Sequence, residues 1–399
     1  MTVWVGADWD RDKCVVVAEC GDKVVRAKVK RDPLAVRQWV AKFDGCRVVV
    51  GIEAGDPLWV RLWEGAGAEV FVFDPQKAKR YAQSLSSSKA NDDKRSADTL
   101  QAQVKSEAHR AAANRAMPAE LRGLDRMLTA RNSASREVNR YTNRLDAVLR
   151  QVHPALRNAL GRLDTVAAVR LLRTAPTPKA WAELTADEQH TALGRFRAVR
   201  RMQVSAAIGD DWAQMEALED QAARFQVRQI VALVEVALAQ KSQAKQQLDA
   251  AAADNPAASL VSSVHGLGAF LSAGAAIALD GSEDQRDAMA RRTGTAPVTT
   301  KSGIRGDARP GVRMRRSSGS TLRKVGYLIA VQLVARHAWA KAQFAHYKAK
   351  GIRTAAAYRR ISRSFSRVLF AIVRDGVPFN ETTYVTALKR RGVVWAAGL

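Results

Sequence analysis

Four acidic residues near the start of the chain carry its strongest chemical signal: Asp8, Glu53, Asp93 and Asp98. Asp8 and Glu53 each end an apolar run that contains a glycine, where an unpaired carboxylate is costly to desolvate. Carboxylates brought close together repel one another unless cations neutralise them, and hard oxygen ligands favour Mg²⁺ or Mn²⁺. The set predicts a phosphoryl-transfer site with two such ions roughly 3.5–4 Å apart.

The surrounding sequence predicts a mixed sheet that positions these acids. Three strands followed by alternating helix and strand is the element order of ribonuclease-H-like folds, and Asp8 then ends the first strand and Glu53 the fourth. Asp93 and Asp98 open a long helix. Any one of these acids could instead be a helix cap or a turn residue. The strands are expected at residues 3–8, 14–19, 24–29, 47–53 and 69–73, and the intervening helices at residues 33–43 and 57–66.

Composition indicates a large, basic, globular protein. The chain has 399 residues, 47% of them apolar, which is enough for two or three domains with a sizeable core. Its formal net charge is +25, and residues 291–399 contribute +20 of it with 23 Lys and Arg against three acids. Such an excess favours a polyanionic partner. We find no apolar run of membrane-spanning length and no signal-peptide pattern, and we expect a cytoplasmic protein without a membrane partner.

Two long helices are predicted between these ends. Apolar residues follow a three-four spacing from Leu121 to Val152, up to the break at His153-Pro154, and residues 219–252 form a second such stretch. Two long helices form either an antiparallel hairpin or an intermolecular coiled coil. Because Arg131 and Ser135 interrupt the heptads, we favour a protruding dimerisation arm, with an ordinary helical bundle as the alternative.

The basic C-terminal quarter contains a candidate nucleophile. Residues 291–303 are expected to form a polar loop without periodicity. Within it, Ser302 is flanked by Lys301 and Gly303, with Arg305 nearby, so it lies in positive potential that eases approach to a phosphodiester. Taken alone, a serine in such a loop is usually a turn residue. No histidine in a triad-like context accompanies it. Further basic residues suited to nucleic-acid contacts are Arg309, Arg313, Arg315, Arg316 and Arg323, together with a helical stripe of Arg359, Arg363 and Arg367.

These blocks together resemble the DEDD transposases of insertion-sequence family 110, the bridge-RNA-guided recombinases. Asp8 and Glu53 match the family's first two acids, and residues 91–97 resemble its third block. The Val264-His265-Gly266-Leu267-Gly268 turn is similar to the family's Pro-Gly-Val-Gly turn, with His265 in place of proline. Residues 293–303 are similar to the segment that carries the family's catalytic serine. The remaining match is Phe73-Asp74-Pro75-Gln76, similar to the family's strand-to-Pro segment.

One departure from the family pattern concerns the fourth acid. The family's third block ends in Asp-x-x-Asp-Ala, whereas here Asp93 is followed by Ser96 and then Ala97. Asp98 is five residues after Asp93, which places the two side chains about 140° apart on a helix. Either Asp92 or Asp98 substitutes from an irregular first turn, or Ser96 and a water complete a weaker site. A chain that binds nucleic acid but recombines poorly is the third possibility.

The resemblance implies an α/β plus α architecture in three parts. We expect a RuvC-like, ribonuclease-H-fold domain over residues 1–115, a helical coiled-coil arm over 116–255 and a mainly helical transposase domain over 256–399. The implied activity is RNA-guided recombination of target and donor DNA by an oligomer, a dimer or a tetramer. Ser302 would attack a DNA phosphate while the acids hold Mg²⁺, and Lys301, Arg305 and Arg309 would neutralise charge there. A metal-dependent nuclease and a non-catalytic nucleic-acid-binding relative are the rival functions.

Overall fold

The structure is a computed structural model with two compact units. It describes residues 1–54, 56–85, 93–107, 116–208, 216–280, 287–300, 311–314 and 319–399, without the side chains of residues 77, 298–300 and 311–314. The first unit comprises Met1–Ala119 and Leu279–Arg286. The second comprises Glu120–Ala278 and Asp287–Leu399. The predicted division into three domains stays a prediction.

The first unit is built on a five-stranded mixed sheet of order β3-β2-β1-β4-β5. The three N-terminal strands pair antiparallel, while β1, β4 and β5 run parallel. The ends of the predicted strands and helices agree with the structure to within three residues. The strands are β1 (Thr2–Trp9), β2 (Lys13–Cys20), β3 (Lys23–Lys30), β4 (Arg47–Glu53) and β5 (Glu69–Phe73); the helices are α1 (Pro33–Val40), α2 (Pro57–Gly65), α3 (Pro75–Leu85) and α4 (Asp93–Glu107), with a 3₁₀ turn at Ala41–Phe43.

Helices cover both faces of this sheet. Trp39 of α1 and Trp59 and Trp63 of α2 pack in one core with alternate residues of β1, including Val3 and Val5. Helix α4 covers the opposite face, where its Ala97 packs against β2. Burial of this much aromatic and aliphatic surface makes the sheet a rigid platform for the residues at its strand ends.

The second unit is helical apart from one short hairpin in its described part. Its two longest helices, α5 and α11, confirm the two predicted long helices. The helices are α5 (Ala119–Val152), α6 (Pro154–Leu160), α7 (Val166–Thr174), α8 (Pro178–Ala182), α9 (Ala186–Leu193), α10 (Ala198–Ile208), α11 (Ala217–Asp254), α12 (Pro256–Ser262), α13 (Ala269–Leu279), α14 (Ala288–Arg292), α15 (Ser320–Arg336), α16 (Ala338–Ala349), α17 (Thr354–Asp375) and α18 (Glu381–Arg390), followed by a 3₁₀ turn at Val394–Ala396.

Helices α5 and α11 run antiparallel within one chain. Leu145 and Leu149 near the end of α5 share a core with Val227 and Ile230 near the start of α11. At the other end of the pair, Arg131 of α5 feels the charge of Asp249 of α11. The two helices therefore form the antiparallel hairpin, which was one of the predicted alternatives. The shorter helices α6–α10 pack in the same core as Leu145 and Leu149, at the end of the hairpin where α5 ends and α11 begins.

The segment before Ser302 has more regular structure than the sequence indicated. The polar loop predicted over residues 291–303 was wrong for residues 291–292 and 297–300, and residues 301–303 lie outside the described residues. Helix α14 ends at Arg292, and β6 (Pro297–Thr300) pairs antiparallel with β7 (Gly311–Met314). Val298 and two threonines supply β-branched residues that suit a strand once a partner is available. Among the described residues, no helix is both long and apolar enough to cross a membrane.

Candidate active site

Asp8 and Glu53 lie at the same end of neighbouring parallel strands. The register of β1 and β4 pairs Ala7 with Ile52, so the next residues along the two strands are Asp8 and Glu53. The indole Nε1 of Trp9 donates a hydrogen bond to the Glu53 carbonyl oxygen at 3.0 Å, which ties the two strand ends together. Parallel strands end at one edge of a sheet, and such edges are the usual place for ligand sites in α/β folds.

Two glycines allow helix α4 to lie directly on the sheet beside these acids. Gly6 pairs with Gly51 across β1 and β4. A Cβ at Gly6 would lie 1.9 Å from the Ala97 carbonyl oxygen, and one at Gly51 would lie 2.8 Å from that of Leu100. Because side chains alternate along a strand, Gly6 is on the same face as Asp8. Asp93 begins α4 one helical turn before Ala97.

The electrostatics of Asp8 show that the charges of three other acids act on it. The pKa of Asp8 is raised to about 6, most by burial and then by the charges of Asp93, Glu53 and Asp10 in that order. Burial also raises the pKa of Cys14, whose thiol feels the charge of Asp8. Carboxylates whose pKa is raised by burial and by neighbouring negative charges are common at catalytic and ligand-binding sites.

Asp74 is a further acid at this sheet edge that the sequence analysis did not assign to the site. Its charge raises the pKa of Glu53, after the larger effect of burial. Glu53 pairs with Phe73 in the register of β4 and β5, so Asp74 follows the third parallel strand at the same edge. Its carboxylate also accepts a hydrogen bond from the Gln76 amide at 3.0 Å at the start of α3. Its position directly after an apolar strand was the available signal.

Asp98 does not join this group. Its carboxylate accepts a hydrogen bond from Arg26 of β3 at 2.7 Å, and both side chains are about half exposed. The helix also contacts the sheet through Glu19 of β2, which binds Gln101 and Lys105. This position agrees with the expected angle of about 140° between Asp93 and Asp98, which directs Asp98 away from Asp93 and toward Arg26. Asp92 lies outside the described residues.

The donor set suits a hard divalent cation, although the described side chains do not enclose one. In the described part of the chain, no three acidic, histidine or cysteine side chains are grouped closely enough to hold one ion. Their charges nevertheless act on one another at longer range, as the pKa of Asp8 shows. The donors are all carboxylates, whose oxygens Mg²⁺ and Mn²⁺ prefer.

Most of the predicted C-terminal site falls outside the described residues. This applies to Ser302, to its neighbours Lys301, Arg305 and Arg309, and to Arg315 and Arg316. The backbone of Arg313 lies in β7 opposite Val298. Arg323 lies in the first turn of α15, where its amide bonds to the Gly319 carbonyl.

The polar residues Thr293 and Thr295, which precede Ser302 in the chain, are closely packed. Thr293 and Thr295 are buried, and their hydroxyls lie 3.2 Å apart. Gly326 of α15 makes room for them, since a Cβ there would lie 2.7 Å from the Cβ of Thr293. This block provides a rigid base for strand β6, which ends two residues before Ser302.

The arginine stripe of α17 is partly used within the protein. Arg367 binds the Asp287 carboxylate through Nε at 3.1 Å, and Arg363 lies 3.8 Å from the same carboxylate. These contacts lower the pKa of Asp287. Two arginines of the stripe therefore already have an acidic partner that is distant in sequence, and the prediction that the stripe contacts successive phosphates stays a prediction.

The sheet, with acids at the carboxyl ends of its parallel strands, is a framework typical of metal-assisted enzymes that act on nucleic acids. Comparison with known families gives a narrower result. Residues 5–154 match the family model of the IS110 DEDD transposases, which is described as a transposase. The match covers less than half of the chain and supports the resemblance to an IS110-family DEDD transposase. The matched family suggests a role in transposition and DNA recombination, which require DNA binding. No curated protein matches the chain significantly.

Proposed function

We propose that the protein is an RNA-guided DNA recombinase whose first unit is a RuvC-like, ribonuclease-H-fold domain. The observation that carries this proposal is the convergence of Asp8, Glu53 and Asp93 at one sheet edge, where burial first, and then the charges of the neighbouring acids, raise the pKa of Asp8 to about 6. The sheet order, with three antiparallel strands followed by two parallel ones, agrees with that fold. The family match supports the recombination chemistry.

Asp8, Glu53 and Asp93 would hold Mg²⁺ or Mn²⁺ through their carboxylate oxygens. The bound cation would polarise the phosphoryl group and lower the pKa of an attacking hydroxyl. Burial of Asp8 keeps water from screening its charge and so strengthens its interaction with a cation. Asp98 is a weaker candidate ligand because its carboxylate already pairs with Arg26.

Ser302 would supply the nucleophile. Its Oγ forms a new bond to phosphorus, the bond between phosphorus and a deoxyribose oxygen breaks, and the serine proton is lost to solvent while the leaving oxygen gains one. Lys301, Arg305 and Arg309 would stabilise the added negative charge on the phosphate. The sequence and the family resemblance support this assignment, since these residues fall outside the described part of the chain.

The partners proposed are target DNA, donor DNA and a guide RNA. The concentration of +20 charges in residues 291–399 supports a polyanionic partner, because phosphate contacts dominate nucleic-acid affinity. Guidance by an RNA rests on the family resemblance.

Assembly into a dimer or tetramer is supported by an exposed stripe on α11. The stripe consists of six exposed positions at alternating four- and three-residue spacing, which is the seam pattern of a coiled coil. Leu218, Phe225 and Val236 within it are 78%, 67% and 56% exposed. A second copy of α11 is the partner that such a seam fits. The six residues are Leu218, Ala222, Phe225, Gln229, Ala232 and Val236.

Trapping a covalent intermediate tests the proposed chemistry. With a nicked DNA substrate that stalls religation, the wild-type protein should form a denaturation-resistant protein–DNA adduct when guide RNA and Mg²⁺ are present. Ser302→Ala should form none, while a matched Ser317→Ala variant should behave as wild type. Peptide mapping should place the DNA on Ser302, and mapping to another serine would refute the assignment.

Two rival functions give different products in the same experiment. Mg²⁺-dependent cleavage without any adduct would indicate a nuclease in which water attacks. Binding of DNA and RNA without cleavage would indicate a non-catalytic relative, for which the replacement of the family's fourth acid by Ser96 is the main argument.

A further inference from the structure

A cluster of cations lies where helices α5 and α15 meet in the second unit. Arg136 of α5 donates a hydrogen bond from Nη2 to the Ser320 hydroxyl at 3.0 Å. One turn earlier on α5, Asn132 accepts from the Lys324 ammonium at 2.9 Å and donates to the Thr321 hydroxyl at 3.1 Å. Both basic side chains are therefore oriented by neutral partners, which fix their positions without neutralising them.

A third cation, Arg131, lies beside this pair and shares an aromatic ring with Lys324. The guanidinium of Arg131 stacks on the ring of Phe270 at 4.4 Å, and the Lys324 ammonium lies 5.7 Å from the same ring. An aromatic face stabilises a cation without cancelling its charge toward other ligands. The ring thus holds Arg131 beside Lys324 despite their repulsion.

The surroundings add positive charge and little negative charge. Lys241 of α11 acts on Lys324, as do Arg131 and Arg136. The acid whose charge acts on Arg131 is Asp249 of α11. That carboxylate is already bound to Lys245 at 2.5 Å. Within the described part of the chain, no carboxylate forms an ion pair with Arg131, Arg136 or Lys324 at salt-bridge distance.

The mutual repulsion of these cations is unfavourable unless an anion binds among them. The pKa of Lys324 is lowered by partial burial and then by the charges of its cationic neighbours. Arg136 and Ser320 are exposed, and Lys324 remains exposed over part of its length, so the donors are accessible to a ligand. Hydroxyl and amide groups beside two cations are the donors that phosphate oxygens accept from.

We propose that Arg136 and Lys324 bind backbone phosphates of a nucleic-acid strand. Ser320 and Thr321 would add hydroxyl donors, and Arg131 would add positive charge beside Lys324. This inference rests on the proposed function, since it names a strand-binding site for the same protein away from the acids. Lys324 binds Asn132, which is one helical turn, about 5.4 Å, from Arg136 along α5, so the two cations fit one phosphate or two successive ones. Phosphate contacts position a strand and carry no base specificity.

Salt-dependent binding measures these contacts directly. The full-length Arg136→Gln/Lys324→Gln variant should bind a labelled DNA duplex of arbitrary sequence roughly three- to tenfold more weakly at low salt than wild type. The slope of log Kd against log salt should shrink by about 0.9 to 1.8, the value for one to two lost phosphates. Arg136→Lys should retain most of the slope, because a point charge preserves counterion release.

A matched control separates this role from a structural one. Arg140 is also on α5, its side chain is 67% exposed, and its nearest acid is Glu137 at 3.8 Å. Arg140→Gln/Arg144→Gln also removes two positive charges, both from α5, and should change the slope by much less. Thermal unfolding should confirm that all variants are folded, and a lost slope in a variant that unfolds at lower temperature would overturn the proposal.

The nature of the strand is decided by repeating the titration with a structured RNA hairpin. A slope change with duplex alone assigns the site to DNA, and one with RNA alone assigns it to the guide. An unchanged slope with both probes, with wild-type affinity intact, would overturn this inference and leave the proposed function standing. Failure of the wild-type protein to bind either probe would overturn both.

Discussion

Gly6 and Gly51 pair in register on the adjacent strands β1 and β4, and helix α4 crosses directly over both. The two glycines are two residues before Asp8 and Glu53 on the same face of the sheet. Helix α4 begins with Asp93. The close approach of helix and sheet is therefore what carries the third acid toward the first two.

We expect Gly6→Ala to disrupt the site and lower stability together. The new Cβ would lie 1.9 Å from the Ala97 carbonyl oxygen, so α4 must move away from the sheet. Overpacking of this kind costs about 1–3 kcal/mol, or more against backbone atoms. Urea unfolding should show the loss, and strand exchange should fall as Asp93 is displaced.

Gly65→Ala is the control for that substitution. Gly65 ends helix α2, and nothing lies within 4 Å of a Cβ there. Alanine in a helix is favoured over glycine by up to about 1 kcal/mol, so this variant should be neutral or slightly stabilised. A Gly6→Ala protein as stable and active as Gly65→Ala would refute the close-packing argument.

Asp8 should make the protein without metal less stable as pH rises. The fold raises the pKa of Asp8 from 3.8 to about 6, so its favourable contribution is complete below the lower value and is lost as pH rises through the higher one. Asp8→Asn should flatten this fall in melting temperature while abolishing strand exchange. Asp12→Asn, at an exposed turn position, should leave the pH profile unchanged.

Divalent cations should reverse the same loss. Since binding requires the ionised carboxylate, stabilisation by Mg²⁺ should grow as pH rises through about 6 in the wild-type protein. It should be nearly absent in Asp8→Asn. An equal Mg²⁺ effect in both proteins would show that the cation binds elsewhere.

Substitutions of Asp93 and of Asp98 should have very different effects on strand exchange, although both residues lie on α4. Asp93→Asn should reduce strand exchange by more than the roughly 10–100-fold typical of residues that only support metal ligands. Asp98→Asn loses an exposed ion pair with Arg26, which is worth about 0.2–1 kcal/mol, and should keep most activity. Single-turnover assays and melting temperatures distinguish the two effects.

Ser96→Asp tests whether the fourth acid is missing. The substitution restores the family spacing of three residues after Asp93, which places both carboxylates on neighbouring positions of one helix face. Higher activity in Ser96→Asp, with Asp98→Asn unaffected, would establish a weakened natural site. A severe loss in Asp98→Asn would instead make Asp98 the fourth ligand.

The exposed stripe of α11 should control assembly. Phe225→Glu/Val236→Glu should reduce the oligomeric state measured by light scattering, because charge in a coiled-coil seam is destabilising. Gln226→Glu lies beside the stripe on the exposed surface and should leave the mass unchanged. RNA binding should survive in both variants. An unchanged mass in the double variant would favour the alternative of a simple intramolecular bundle.

Sequence alone predicted the elements of the sheet unit and the positions of Asp8, Glu53 and Asp93 at the ends of these elements, but it grouped Asp98 with them. Strand alternation and turn residues are local signals, so β4 and β5 were predicted with the bounds that the structure shows. The two long helices were equally visible from their apolar spacing, because each depends on residues three and four positions apart.

Tertiary structure decided which charges meet. No local pattern shows that Asp287 binds Arg363 and Arg367, that Arg26 binds Asp98, or that Asp74 acts on Glu53. Coulomb energy depends on distance and burial in space, and both are set by register and helix packing rather than by spacing along the chain. For the same reason only the folded chain showed that Arg136 and Lys324, nearly two hundred residues apart, are held side by side by neutral partners.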